Sequence, residues 1–294
     1  MLNLNIVKNK WMFFILPLVI IVAAIITGIV AGGFALDIDF AGGTEMVIDF
    51  GKTVPKADVE SLFNDTLGFK ASAVQQSLVD ETQYTIKSQN LTKEQIENVW
   101  NAYKAKFELK DEQRLAVDSV SPTIGKELTQ SAVVACAIAV ILMLLYITIR
   151  FEFLSGLSAV IALAHDVLIL LSAYMILRMP LNTAFIAAIL TIIGYSINDT
   201  IVVFDRIREN IKFSKRGETY GDIANKSVNQ TVTRSINTSV TTLITIVLLY
   251  ILGVDAIKDF SLALIIGLLA GTYSSIFIAA PIWVAFKKDK KQGK

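Results

Sequence analysis

Long apolar runs, separated mostly by short polar connections, dominate this chain, and a single longer stretch of mixed character, 34–127, interrupts them. A helix needs roughly 20 apolar residues to cross the hydrocarbon of a bilayer. Six segments satisfy that: about 11–33, 128–149, 154–177, 181–204, 235–253 and 260–286. Lys8 and Lys10 precede the first, and Ala31 and Gly32 follow its core, as in a secretory signal. Its apolar part is too long for a signal, so the pattern predicts a retained anchor.

Inside 34–127 the period changes. Thr44 to Phe50, with Met46, Val47, Ile48 and Phe50, reads as a buried strand. Pro55 to Leu67 carries Val59, Leu62, Phe63 and Leu67 at helical spacing, with Pro55 near the start. Phe69 to Leu78 and Gln83 to Lys87 predict two strands around a turn at Asp80 and Glu81. Leu91 to Phe107 then places Ile96, Val99, Trp100, Tyr103 and Phe107 on one helical face, with Thr92 and Gln95 as a capping box. Arg114 to Val120 is the last strand. The order β-α-β-β-α-β predicts a small α+β ferredoxin-like domain between the first and second spans of an α-helical membrane protein with six transmembrane helices.

Basic residues orient the spans, because short cytoplasmic loops carry the excess of Lys and Arg. Lys8 and Lys10 lie in the N-terminal segment 1–10. Arg206, Arg208, Lys212, Lys215, Arg216, Lys226 and Arg234 lie in 205–234, and Lys287, Lys288, Lys290, Lys291 and Lys294 in the tail 287–294. The short connections on the other side hold only Arg178 and Lys258. Both termini and the loop 205–234 are therefore expected in the cytoplasm, with 34–127 extracytoplasmic and 128–286 holding spans two to six. Segment 205–234 has the charge to touch anionic lipid or the ribosome-facing side of a partner, although a topogenic cluster explains it more simply.

Composition agrees: of 294 residues, 54% are hydrophobic and 18% charged, too apolar for an ordinary soluble domain. The formal charge of +1 gives no general affinity for nucleic acid, and no such partner is expected. Cys136 is the one cysteine, so no intrachain disulfide or cysteine cluster can form. His165 is the one histidine and cannot build a multi-His zinc site, so no metal and no cofactor is expected. No GxxxxGK(S/T) loop is present either, and Gly42-Gly43 leads into a strand instead of a helix, which argues against a nucleotide-driven enzyme.

Ionisable groups within apolar spans are the most informative residues, since a charge near the bilayer centre costs on the order of 2.5–3.5 kcal/mol even on lenient scales. Asp199 falls in the fourth span, flanked by Asn198 and Thr200, which can hydrogen-bond; Gly194 would let another helix approach. Asp166 follows His165 in the middle of the third span. Arg234 stands at the expected head of the fifth span, and Thr238, Thr241 and Thr245 share its face, a stripe expected to meet protein or water. Asp199 with Arg234, and secondarily Asp166, are candidate proton or ion carriers; holding helices in register is the plainer alternative. Burial disfavours the charged carboxylate and a guanidinium favours it, so the two can bring such a group into a titrating range. Ala263, Gly267, Gly271 and Ser275 form a small-residue stripe on the sixth span, expected for helix packing and open to a second subunit.

Asp39-Phe40-Ala41-Gly42-Gly43-Thr44 resembles the DFxGGT motif of the SecF family, the smaller half of the SecD/SecF pair in the resistance-nodulation-division superfamily. A glycine-permitted bend from helix to strand is a structural reason for the same residues. Gly194 to Asn210, GYSINDTIVVFDRIREN, resembles the family's most specific signature, His165-Asp166 its third-span motif, and Arg234 its arginine before the fifth span. The resemblance covers nearly the whole chain. It implies a non-enzymatic translocase subunit of the bacterial cytoplasmic membrane. Such a subunit works with SecD and the SecYEG translocon on secreted precursor polypeptides, driven by the proton motive force, with Asp199 and Arg234 in the proton pathway.

Two other readings stay open on the residues alone. One keeps the architecture and exports a lipid or small hydrophobic molecule instead. The other makes Asp166 and Asp199 the pair of an intramembrane aspartyl protease, against which stands the lack of a GxGD motif around either residue. A passive scaffold would need neither carboxylate.

Overall fold

The structure, a computed structural model, describes residues 5–77, 79–215 and 217–288, with backbone alone at 255 and 256. Leu78 at the end of a predicted strand, Arg216, and Lys290, Lys291 and Lys294 of the predicted tail lie outside the described residues. The chain divides into two compact units. One comprises Leu36–Val133 with Pro180–Thr183, and the other Met1–Ala35, Val134–Met179 and Ala184–Lys294.

The first unit contains α2 (Ile38–Ala41), β1 (Gly43–Asp49), α3 (Lys56–Leu67), β2 (Ala73–Gln76), β3 (Gln83–Ser88), α4 (Lys93–Phe107) and β4 (Arg114–Val120). Its strands form an antiparallel sheet in the order β2-β3-β1-β4, and the β1–β4 register shifts between Val47 and Ile48. Side chains alternate across a strand, so Met46, Ile48, Tyr84 and Ile86 enter one core with Val59 and Phe63 of α3 and Val99, Trp100 and Tyr103 of α4. Val47, expected inside with its neighbours, takes the other face and is half-buried. Phe50 sits edge-on to Tyr84, Tyr103 and Phe107 with ring centres 5.1–5.6 Å away. The capping box forms: Gln95 N–H donates to Thr92 Oγ1 at 3.2 Å and Thr92 N–H to Gln95 Oε1 at 2.9 Å. β2 is shorter than predicted because Gly68, at φ +76°, ends α3, and Ala71 N–H is still occupied by Asn64 Oδ1, 3.2 Å away.

The second unit is helical. It holds α1 (Lys10–Ala31), most of α5 (Pro122–Arg150), α6 (Phe153–Leu177), α7 (Thr183–Lys212) after its first residue, α8 (Tyr220–Leu252), α9 (Asp255–Phe277) and α10 (Ala279–Lys287). Among the described residues, six helical stretches are long and apolar enough to cross a membrane, the last running through α9 and α10. The sixth span is broken at Ile278, with φ −114° and ψ −52°. Pro281 explains the break: it has no N–H for the Phe277 carbonyl and its ring crowds that turn.

Two spans extend beyond their predicted ends. α7 runs to Lys212 instead of stopping near 204, and α8 begins at Tyr220 instead of 235. A capping box starts α8, with Asp222 N–H on Thr219 Oγ1 at 3.1 Å and Thr219 N–H on Asp222 Oδ2 at 3.0 Å. Beyond it, Ile223, Ala224, Ser227, Val228, Thr231 and Val232 line one buried face. The predicted loop 205–234 is thus mostly helix. Arg234 stands about four turns inside α8, not at its head.

α6, α7 and α9 form the centre of this unit. The small stripe of α9 is taken up within the chain: a Cβ on Gly267 would meet Ile192 of α7, and one on Gly271 would lie 2.9 Å from Ser196 Cβ. That face is not free for a second subunit. At Gly194 no helix of this chain makes the expected close approach, since a Cβ there would have no described atom within 4 Å. α1, α5 and α8 leave most of their apolar windows uncovered.

Candidate functional site

Ser196, Asp199, Thr200 and Val203 follow one another at spacings of three, one and three along α7, which turns them all into the bundle. Asp199 is 3% exposed, and its Oδ2 has no hydrogen-bond partner among the described residues. Ser235 on α8 is fully buried, faces the same carboxylate, and its Oγ makes no well-formed hydrogen bond among the described residues. Ser235 and Arg234 lie within electrostatic reach of the Asp199 carboxylate.

Asp166 on α6 is as deeply buried but fully engaged. Its Oδ2 accepts from Ser196 Oγ at 2.6 Å, and its Oδ1 lies 3.0 Å from His165 Nδ1. The His165 ring lies nearly parallel to Tyr273 with centres 6.2 Å apart, and its buried Nε2 has no partner among the described residues. Further polar ties join the same helices. Thr200 Oγ1 and Ser275 Oγ are 2.9 Å apart, Ser239 Oγ and Thr272 Oγ1 are 2.5 Å apart, and Tyr195 Oη donates to Thr242 Oγ1 at 3.2 Å. Buried polar groups are normally satisfied, and a single orphaned oxygen on a carboxylate calls for a reason. Asp166 needs none beyond its ties; Asp199 does.

No ion pair joins Asp199 to Arg234 among the described residues, although the guanidinium lies within electrostatic reach of the carboxylate. Arg234 is exposed and instead lines a cavity of about 640 Å³. α5 and the turn after it supply Tyr146, Arg150 and Phe151 to that cavity; α7 supplies Asn198, Asp205, Arg206 and Glu209, and α8 Gln230, Thr231 and Arg234. Arg206 is held by Glu209 at 2.6 Å and Gln230 at 2.7 Å, so Arg150 and Arg234 are its cations without a carboxylate partner among the described residues. Asn198 faces this cavity, and Thr200, two residues on, faces the bundle. Thr238, Thr241 and Thr245 donate to carbonyls three or four residues back, and Thr241 and Thr245 are exposed. Their stripe is therefore uncovered by this chain.

Ser196 and Ser235 were not singled out in the sequence. Their signal was present, because Ser196 lies three residues before Asp199, and Ser235 and Ser239 share a face of α8.

The Asp39 to Thr44 motif belongs to the other unit. Asp39 Oδ2 accepts from Thr183 N at 2.8 Å and Thr183 Oγ1 at 2.7 Å, so it caps the first residue of α7. Asp37 N–H donates to the Leu181 carbonyl at 2.9 Å, and Leu36 bridges Leu181. Gly42 at φ +75° and Gly43 at φ +153° turn the chain into β1; a Cβ on Gly42 would lie 2.8 Å from Pro122 N, and one on Gly43 would collide with the Ser88 carbonyl. Asp37 is itself clamped by Lys87 Nζ, 2.7 Å from both its oxygens, while Glu45 Oε2 is 3.1 Å from the same ammonium. Burial works to lower the Lys87 pKa, but Asp37 and Glu45 outweigh it and hold the ammonium above its ordinary range.

Residues 100–289 match the family described as protein export membrane protein SecD/SecF, C-terminal. A protein translocase subunit SecF from Alicyclobacillus acidocaldarius is 42% identical over 289 residues, 95% of this chain and 91% of that protein. One from Sebaldella termitidis is 37% identical over 297 residues, covering 100% of this chain and 95% of that protein. SecDF of Bacillus subtilis is 40% identical over 95% of this chain but only 37% of its own length. The crystal structure of Thermus thermophilus SecDF, a translocon-associated membrane protein, superposes with a TM-score of 0.86 at 34% identity, over 98% of this chain and 39% of that one. In such relatives the equivalent of this chain is fused to a SecD portion, which implies association with SecD. With six apolar helices, the signature around Asp199 and this degree of identity over nearly its full length, the chain belongs to the SecF family of multi-pass protein translocase subunits.

Proposed function

We propose that the chain is the membrane subunit that works with SecD beside SecYEG, drawing exported polypeptides across the bacterial cytoplasmic membrane with energy from the proton gradient. In this reading both termini are cytoplasmic, and the 36–133 unit is the ferredoxin-like extracytoplasmic domain, for which the strand order β2-β3-β1-β4 and the helix–strand alternation speak. The observation that carries the mechanism is Asp199, buried in the middle of an apolar helix with one oxygen unsatisfied, beside a polar cavity onto which Arg234 opens.

The ionised carboxylate attracts the Arg234 guanidinium from the cavity; protonation releases it. One charge moved through the full field is worth about 2.3 kcal/mol per 100 mV, enough to bias two arrangements of α7 and α8 that differ by a few kcal/mol. Asp166 with His165 serves as a fixed polar tie, which a proton can also use through Ser196. The uncovered faces of α5 and α8, with the Thr238 to Thr245 stripe, suit the SecD half.

The test is complementation of an export-defective strain with wild type, Asp199→Asn or Arg234→Met at equal expression, following secretion of a precursor as the membrane potential is collapsed. Wild type should lose its gradient-dependent secretion, and both variants should sit at the collapsed level from the start. Equal, equally sensitive secretion by all three would refute the assignment.

A further inference from the structure

A second cavity, of about 330 Å³, lies where α5 ends, α6 begins and α10 ends, at the edge of the helical unit where spanning segments meet the membrane surface. Its floor is apolar, with Phe204, Ile207 and Ile211 of α7 and the Trp283 ring. Its rim is cationic. Arg208 and Lys212 stand one turn apart on α7, both exposed and neither engaged by a carboxylate among the described residues; Arg208 spends one N–H on the Arg150 carbonyl at 3.3 Å. Lys287 closes the third side over the Tyr220 and Trp283 rings, with centroids 5.7 and 5.8 Å from its Nζ. Glu152 is the one acid of the lining, bound to Lys287 at 2.9 Å and to Trp283 Nε1 at 2.7 Å. The lining therefore keeps two uncompensated positive charges above an apolar floor.

The residues next to the rim add a second observation. Phe153, Phe213 and Phe286 follow Glu152, follow Lys212 and precede Lys287 respectively, and all three are exposed. A pocket opening into water gains nothing from three bare phenyl rings around charged groups; one opening into the headgroup and upper acyl layer does. The volume falls in the range of ligand clefts and suits a phosphoglycerol headgroup with the first carbons of its chains.

We infer that this pocket binds one anionic diacyl phospholipid, its phosphate held by Arg208 and Lys212 and its upper acyl carbons on the Phe204, Ile207 and Ile211 floor. Basic pockets between helices at the membrane surface recognise such headgroups through charge and hydrogen bonds, and the apolar floor separates a held lipid from a diffuse counterion.

The purified full chain, delipidated in mild detergent, is titrated with phosphatidylglycerol, phosphatidylcholine or glycerol 3-phosphate and weighed by native mass spectrometry. One phosphatidylglycerol per chain should be retained, with phosphatidylcholine and glycerol 3-phosphate bound far more weakly. Arg208→Gln with Lys212→Gln should weaken retention about thirtyfold. Lys215→Gln with Lys226→Gln, the same charge change on residues outside the lining, should leave it within about twofold. Quenching of Trp283 by brominated phosphatidylglycerol, in a Trp11→Phe background where Trp100, buried in the sheet-unit core, gives a constant signal, should fall with the first pair alone. Equal loss with both pairs would mean diffuse attraction, equal retention of phosphatidylcholine no anion recognition, and equal binding of glycerol 3-phosphate a soluble-phosphate site; each overturns the assignment. An unchanged melting midpoint of the first pair without lipid establishes that loss of binding is not loss of fold.

Discussion

Removing the Lys87 ammonium alone should loosen the sheet unit far more than removing it together with the Asp37 charge. The Lys87 side chain is 15% exposed and that of Asp37 8%, so both are largely shielded from water, whereas Glu45 at 24% keeps part of its hydration. Lys87→Met leaves the Asp37 carboxylate without its cation in a place that water barely reaches. Breaking a buried pair from one side costs about 3–5 kcal/mol. The lower end applies here, because Asp37 Oδ1 keeps the Ile38 N–H at 2.8 Å. About 3 kcal/mol corresponds to roughly a hundredfold faster opening-limited amide exchange. Hydrogen exchange read by mass spectrometry on peptides covering Gln83–Ser88 and Gly43–Asp49 should report it in the full chain. Lys87→Met with Asp37→Asn removes the stranded charge and keeps the oxygen that caps α2, so its exchange should return to within about tenfold of wild type. The pH dependence has a definite sign. Because the folded pKa of Lys87 lies above its ordinary value, the stabilisation is fully present at neutral pH and is lost only as pH rises through that raised value. A less than fivefold change in the single variant, or a double variant as fast as the single, would refute the reasoning.

Gly43→Ala should destabilise the same unit by about 1–3 kcal/mol, since the added methyl meets the Ser88 carbonyl at a φ that L-residues avoid, while Gly68→Ala, whose Cβ has open space, should cost only about 1 kcal/mol; exchange at β1 separates the two. At Glu152, burial raises the pKa, but Lys287, Trp283 and Ser155 outweigh it and hold the carboxyl below its ordinary 4.5. Its contribution is therefore present above that value and lost as pH falls through the lowered one. Wild type should melt above Glu152→Gln at pH 7, and the gap should close as pH falls through the lowered value.

The hydrophobic runs determined the six spans, because only a long helix satisfies its own backbone in lipid, and a run of that length has no other use. Alternation and helical spacing likewise determined β1, β3, β4, α3 and α4, down to the Thr92–Gln95 box, since each is a local pattern with a local cause. The signature around Asp199 singled out that carboxylate before any geometry was known. Apolar content misled where helices carry mixed faces. The extensions of α7 and α8 bury one stripe, Ile207 and Asn210 on the first and Ile223 to Val232 on the second, between polar residues that lower the average.

Partner choice was decided in three dimensions alone. The sequence shows Asp166 and Asp199 both as acids in apolar helices but not what each meets; packing gives the first Ser196 and His165 and leaves the second with a bare oxygen. It shows Gly194 and Gly267 as equivalent small residues; packing presses one against Ile192 and leaves the other in open space. Asp39 and Thr183, 144 positions apart, meet only because the chain returns to the sheet unit between α6 and α7. Spacing along a helix fixes which face a residue takes, but the helix that covers that face is chosen by the sum of all contacts, which no local window contains.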